Sequence, residues 1–266
     1  MPSLVERHLD QLRAQNYADA TIRERARVLA TLPDPATLDR ESVRAWWEAR
    51  RTRADGAPRS AASLSTESSH AREFWRWCRL EGALDHNPGD WLPRVRQTHT
   101  KATPVTEGDL YRIMVDAPAD LRRMIALGAM AGLRSSEIAA LRWTDIDHGN
   151  GVLNVRQGKG AKDRTVPLSG GLLAELGDPG EGFVIGRSMT AKAVSMAVGR
   201  YMRSRGVDLT AHKLRARYIT RFIAATGDAV AAAEVAGHAG VATIMRYAVA
   251  SSDTMRRGAE AAGRIG

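Results

Sequence analysis

The chain has 266 residues, with 39 Lys and Arg against 30 Asp and Glu, for a formal charge of +9. That length allows two hydrophobic cores, since single cores stop growing near roughly 250 to 300 residues, and the cationic excess points toward polyanions, nucleic acid first. A single cysteine, Cys78, rules out an intrachain disulfide, and no apolar run reaches the ~18 residues of a membrane span. With no signal-peptide pattern at the start, a cytoplasmic location without membrane contact is the expectation.

Ser3 with Glu6 forms a capping box ahead of Leu4, Val5, Leu9 and Leu12, which recur at helical spacing and predict an amphipathic first helix. A second runs from Asp19 through Ile22, Val28, Leu29 and Leu32 and stops at Pro33 and Pro35. Residues 39–53, with Val43, Trp46 and Trp47, make a third. Ala61 to Leu80 form a fourth, carrying Leu64, Ala71, Phe74, Trp75 and Cys78 on one side, with Gly82 beyond its end. Aromatic residues on that spacing belong to a core more often than to a ligand platform, so Phe74 and Trp75 are assigned to the core. The first hundred residues read as a small all-helical domain.

Periodicity vanishes from Asn87 to Pro104, where Pro88, Pro93 and Pro104 punctuate a basic, extended stretch. Thr106 and Asp109 then open a second helical region through Leu110, Ile113 and Met114, and again from Ile125 to Met130. The stretch GVLNVRQGKGAKDRTVPLS, residues 151–169, changes period: Val152, Leu153 and Val155, then Val166 and Leu168, flank a Gly-Lys-Gly turn and predict a β-hairpin. Helices resume at Thr190 and continue almost to the end. The fold class is mainly α with a small β-sheet or hairpin, in two domains, with boundaries at 1–98, a linker at 99–105, and 106–266. Residues 1–98 carry +2 of the charge and the remainder +7.

The second part holds residues suited to a phosphodiester under attack. The transition state gains charge on the non-bridging oxygens, and without a metal it needs fixed cations there. Guanidiniums contact phosphate oxygens bidentately and stay charged, and Arg134 and Arg215 are the candidates. A tyrosine phenol, Tyr247, can keep the bond energy in a phosphotyrosyl ester. It ionises near pH ~10 and so needs neighbouring cations and a proton acceptor; His212, one helical turn from Arg215, is a plausible one. His238 adds a further donor. The departing 5′ oxygen needs a proton that arginine supplies poorly. Only five residues are lysine, and two of them, Lys159 and Lys162, sit in one hairpin turn. Lys159, at the Gly158-Lys159-Gly160 tip, is preferred to Lys162 as the general acid. Lys162, Arg164, Lys213, Arg217 and Arg221 are candidates for DNA phosphates, and Glu137 is assigned a structural role, orienting Arg134 or a neighbouring helix.

Arg134 in GLRSSE, Lys159 in GKGAKDRTVPL, His212 and Arg215 in HKLR, His238 in GH and Tyr247 nine residues later resemble the tyrosine recombinases, or phage integrase family, over roughly residues 106–250. Residues 1–98 are similar, more loosely, to the family's helical core-binding domain. The chain departs from the family's pattern at Ala216-Arg217, where His-Thr is frequent, at Ala236 before Gly237-His238, and at Ala248, where a histidine often follows the tyrosine.

The resemblance implies a two-domain enzyme around double-stranded DNA, monomeric when free and a homotetramer on paired core sites. Strands exchange through 3′-phosphotyrosyl intermediates and a Holliday junction, with no metal or nucleotide cofactor. The C-terminal tail docks on the next protomer. A bacterial or phage-infected cell, at the nucleoid, is the implied setting, and a mobile element is preferred as the source. Two other readings stand beside it: a type IB topoisomerase, which shares much of the chemistry, and a non-catalytic DNA-binding regulator, which would explain the charge but not the lysine-bearing tip or the tyrosine.

Overall fold

Several helices begin at a short side chain that takes up backbone N–H groups left unpaired by the first turn. The structure, a computed structural model, describes residues 2–96, 104–156 and 163–237. Ser3 caps α1 (Leu4–Ala14) by the reciprocal pair expected of it: Glu6 N donates to Ser3 Oγ at 3.2 Å and Ser3 N to Glu6 Oε2 at 2.7 Å. Asp39 and Ser60 cap α3 (Arg40–Arg50) and α4 (Ala61–Leu80).

Helix α2 (Asp19–Leu29) ends three residues before Leu32, because Thr31 N and Leu32 N turn back to Val28 O and Leu29 O in tighter i to i−3 bonds. Helix α3 likewise stops short of residue 53. Arg53 N bonds Ala57 O and Arg59 N bonds Arg51 O, so the backbone there pairs with itself instead of extending the helix.

The chain divides into two compact units, Met1–His99 and Thr100–Gly266. In the first, the apolar faces of the four helices close over Leu12, Val28, Val43, Phe74, Trp75 and Cys78, all buried. Phe74 and Trp75 lie in the core as assigned, and Trp46 meets Trp75 edge-on with ring centroids 5.9 Å apart. Buried Glu67 accepts from Arg50 at 2.8 and 2.9 Å and from Arg59, so part of this unit's positive charge is used internally.

The second unit is built on α6 (Ala119–Met130), whose Met124, Ile125, Ala126, Leu127 and Ala129 are all fully buried. The second half of α6 is apolar on all sides and so lies inside the domain, while Asp120, Arg122 and Arg123 keep its first half nearer the surface. Around it come α5 (Glu107–Met114), α7 (Ser135–Ala140), α8 (Gly170–Leu176), α9 (Ala191–Ser204), α10 (His212–Thr226) and α11 (Ala229–Ala236). Gly227, at φ 71°, ends α10, and Asp228 then caps α11 through Val230 N and Ala231 N at 2.8 and 2.9 Å. Small residues Ala216, Ala232, Ala233 and Ala236 let α10 and α11 approach closely.

The hairpin is present as β2 (Val152–Val155) and β3 (Arg164–Pro167), antiparallel, with Leu153 opposite Val166 and Val155 opposite Arg164. A third strand, β1 (Ile146–Asp147), pairs with β2 to give the order β1-β2-β3. Two residues carry no readable period, so β1 is invisible in the sequence. The described residues are mainly helical with one small sheet, and no helix among them is long and apolar enough to cross a membrane.

Candidate active site

Three of the proposed catalytic residues, Arg134, His212 and Arg215, line one cavity of about 330 Å³, together with Ser135, Ser136 and Ser195 and with apolar walls from Met124, Leu133 and Val194. Arg134 sits at the entrance to α7, where Arg134 N donates to Glu137 Oε2 at 2.8 Å and Nη1 to Oε1 at 2.7 Å. His212 is the first residue of α10 and is exposed, whereas Arg215, one turn on, is 2% exposed. Helical periodicity puts both on the same face, and the N-terminal end of α10 turns that face to the cavity.

Arg215 is held by backbone carbonyls: Nη1 donates to Gly132 O and Nη2 to Ala236 O. Gly132 has φ 65°, and a Cβ there would stand 2.4 Å from Cδ1 of Tyr218. Only glycine fits this turn, which delivers one of the two carbonyls that hold the arginine.

Ala236 O is one of three consecutive carbonyls at the end of α11 that accept from arginines of three different elements. Arg164 Nε donates to Val235 O at 2.8 Å, Arg215 to Ala236 O, and Arg134 Nη2 to Gly237 O. The last carbonyls of a helix have no intrahelical donors and carry the negative end of the macrodipole, so cations are favoured there. Residue 238 follows directly.

Glu137 joins this cluster from α7. Arg164 Nη1 and Nη2 donate to its two oxygens at 2.8 Å each, in addition to the Arg134 bonds. Burial alone would raise the Glu137 carboxyl, but the Arg164 hydrogen bonds, the Arg134 backbone N–H and the two guanidinium charges outweigh it and hold the group at about 2. The carboxylate is therefore ionised at any working pH and balances part of the arginine charge.

Lys159, Lys162, His238 and Tyr247 lie outside the described residues. Two of the residues expected at DNA phosphates are engaged within the unit. The Arg164 side chain is 9% exposed, with its guanidinium taken by Glu137 and Val235 O. The alternation of β3 carried the signal, since Arg164 shares its face with fully buried Val166. Arg217 is 11% exposed and binds Glu107 at 3.0 and 2.8 Å and Ala129 O at 2.9 Å, tying α10 to α5 and α6. Arg221 bonds Glu107 at 2.7 Å but is 61% exposed and stays at the surface; Lys213 is half-buried. Glu137 has the structural role assigned to it. The serines of the cavity were not singled out in the sequence, where nothing distinguishes them from other polar helix residues.

A larger hollow of about 1110 Å³ in the first unit runs between α3 and residues 91–93, where Glu41 and Glu48 stand beside Arg40, Arg44 and Arg51. It brings no histidine or tyrosine to a phosphate and is set aside as a catalytic site.

Residues 106–253, more than half of the chain, match the family model described as Phage integrase family, and the chain belongs to that family, the tyrosine recombinases. Tyrosine recombinase XerC of Xanthomonas axonopodis pv. citri (strain 306) is 30% identical over 207 residues, which cover 71% of this chain and 67% of that protein. A lambda integrase dimer bound to a COC′ core site has the same fold, with a TM-score of 0.75 at 19% identity over 92% of this chain and 93% of that one. A lambda integrase tetramer bound to a Holliday junction gives a TM-score of 0.75 at 18% identity, over 92% and 76% of the two chains.

Proposed function

We propose that this protein is a site-specific DNA recombinase that cuts and rejoins double-stranded DNA through a 3′-phosphotyrosyl intermediate. The observation that carries this is the single cavity lined by Arg134, His212 and Arg215 beside the end of α11. Two guanidiniums there would meet the non-bridging oxygens of one phosphodiester, where charge develops in the transition state.

Tyr247 Oη attacks phosphorus while the bond to the 5′ oxygen breaks. His212 takes the phenol proton, and Lys159 gives a proton to the departing oxygen. His238 donates a hydrogen bond to a non-bridging oxygen. Attack by a second 5′ hydroxyl on the phosphotyrosyl ester reverses these steps and exchanges strands. Between two sites, successive exchanges pass through a Holliday junction held by four protomers, each a monomer before it binds DNA. The first unit acts as the core-site DNA-binding domain, residues 99–105 as the linker, and the tail beyond Tyr247 as the contact to the next protomer. The protein works in the cytoplasm on phage, plasmid or bacterial DNA, and the chemistry above needs no metal or cofactor.

The test is covalent capture from a library of nicked duplexes with a randomised centre. An adduct that survives SDS, enriches a duplex sequence and vanishes with Tyr247→Phe supports the reading. Binding without an adduct would make the protein a regulator. An adduct with relaxation of any supercoiled plasmid, and without recombination between two copies of the enriched site, would make it a type IB topoisomerase.

A further inference from the structure

Arg164 is not among the residues lining the cavity of Arg134, His212 and Arg215, yet its guanidinium makes three hydrogen bonds beside it. It leaves β3 on the inward face opposite Val155. Nη1 and Nη2 grip both oxygens of Glu137 at 2.8 Å, and Nε holds Val235 O at 2.8 Å. The flat guanidinium lies against bare Gly237, where a Cβ would stand 2.8 Å from Nη1 and 3.0 Å from Cζ.

Arg164 and Arg134 share one partner, Glu137, and each also binds a carbonyl at the end of α11. Glu137 Oε1 accepts from Nη1 of both arginines, and Oε2 accepts from Arg164 Nη2 and from Arg134 N. The second Arg134 donor goes to Gly237 O, one residue beyond Ala236 and two beyond Val235. Glu137 thus has about four acceptor sites and uses all four on two arginines. The end of α11, from which residue 238 emerges, is pinned by the same group that orients the carboxylate.

We infer that Arg164 is a positioning residue, which sets the direction of the Arg134 guanidinium through Glu137 and, through Val235 O and Gly237, the place from which the chain leaves α11 toward residue 238. A planar fork is required because three bonds point in fixed directions to two different elements. A lysine at 164 offers one point charge and cannot span them. The effect belongs to the chemical step: a guanidinium displaced by about an ångström costs on the order of 100-fold in rate while leaving the DNA contacts elsewhere intact. This role rests on the recombinase reading above.

Two arms test it. In the first, single-turnover adduct formation is measured at saturating concentration of the duplex recovered by covalent capture, for Arg164→Lys, Glu137→Gln and the double variant. Each single change should lower the rate by about 100-fold with the apparent Kd within about twofold, and the double variant should be no slower than the slower single one, because both act through one unit. Rates within about twofold of the original, a loss wholly in Kd, or multiplicative losses would overturn the inference.

The second arm needs no DNA. Amide hydrogen exchange on the Arg164→Lys protein should speed up in α11 and at the start of α7 while α6 stays protected. Unchanged exchange at α11 would overturn the proposal even if the unmodified protein forms no adduct. Absence of an adduct from the unmodified protein with faster exchange at α11 would remove the recombinase reading and leave the structural coupling standing.

Discussion

Gly237 lies beneath the guanidinium of Arg164, so close that a methyl group on its Cα would stand 2.8 Å from Nη1. Its φ of 62° is in the left-handed region, so glycine is required there for backbone and contact alike. Gly237→Ala should cost about 1 to 2 kcal/mol for the backbone conformation, with more from the displaced arginine. A fall in urea midpoint, together with slower adduct formation, is the expected result. An unchanged midpoint would mean that Arg164 swings aside freely.

Glu137 makes part of the stability pH-dependent. Its carboxyl is held at about 2, below the ordinary 4.5 of an unpaired glutamate, so the contribution is fully present above 4.5 and is lost as pH falls toward 2. The difference corresponds to roughly 3 kcal/mol. Glu137→Gln should therefore lie well below the original protein in unfolding free energy at pH 7, and the gap should close progressively on acidification. Urea titrations of both proteins at a series of pH values measure it, and a constant gap would contradict the pairing.

Arg215 has two backbone carbonyls to satisfy before it meets any phosphate. In Arg215→Lys, one ammonium replaces a fork that spans Gly132 O and Ala236 O, and loss of a transition-state donor costs about 100- to 1000-fold in kcat. Single-turnover cleavage of the captured duplex should fall by that amount, with DNA binding within about threefold of the original.

The two arginines bonded to Glu107 should separate in their salt dependence. Arg221 is exposed and Arg217 is turned inward to Ala129 O. Each phosphate neutralised contributes about 0.9 to the fall of log K with log salt. Arg221→Gln should reduce that slope by about 0.9 on duplex DNA, and Arg217→Gln should leave the slope unchanged while lowering the melting temperature. The opposite assignment would place Arg217 on the DNA.

Residues whose signal is local were legible before any coordinates. The Ser3–Glu6 capping pair, the burial of Phe74 and Trp75 and the hairpin of β2 and β3 each follow from spacing within a few residues. That Arg134, His212 and Arg215 would lie near one another was legible too, because such residue types suit one anion and His212 and Arg215 share a helical face.

What the sequence by itself determined was how many cations the second unit carries and which chemistry such a set can perform. Strand alternation carried the inward face of Arg164, but which partner each cation meets was decided only in three dimensions. Arg164 and Arg217 have the same charge as Arg134 and Arg221, but the direction of each depends on partners distant in the chain. Glu137 stands 27 residues from Arg164, and Glu107 stands 110 from Arg217. The open carbonyls at the end of α11 gain arginine partners only when β3, α7 and α10 are packed around them. Charge is a property of the residue, whereas the direction in which it is spent is a property of the packing.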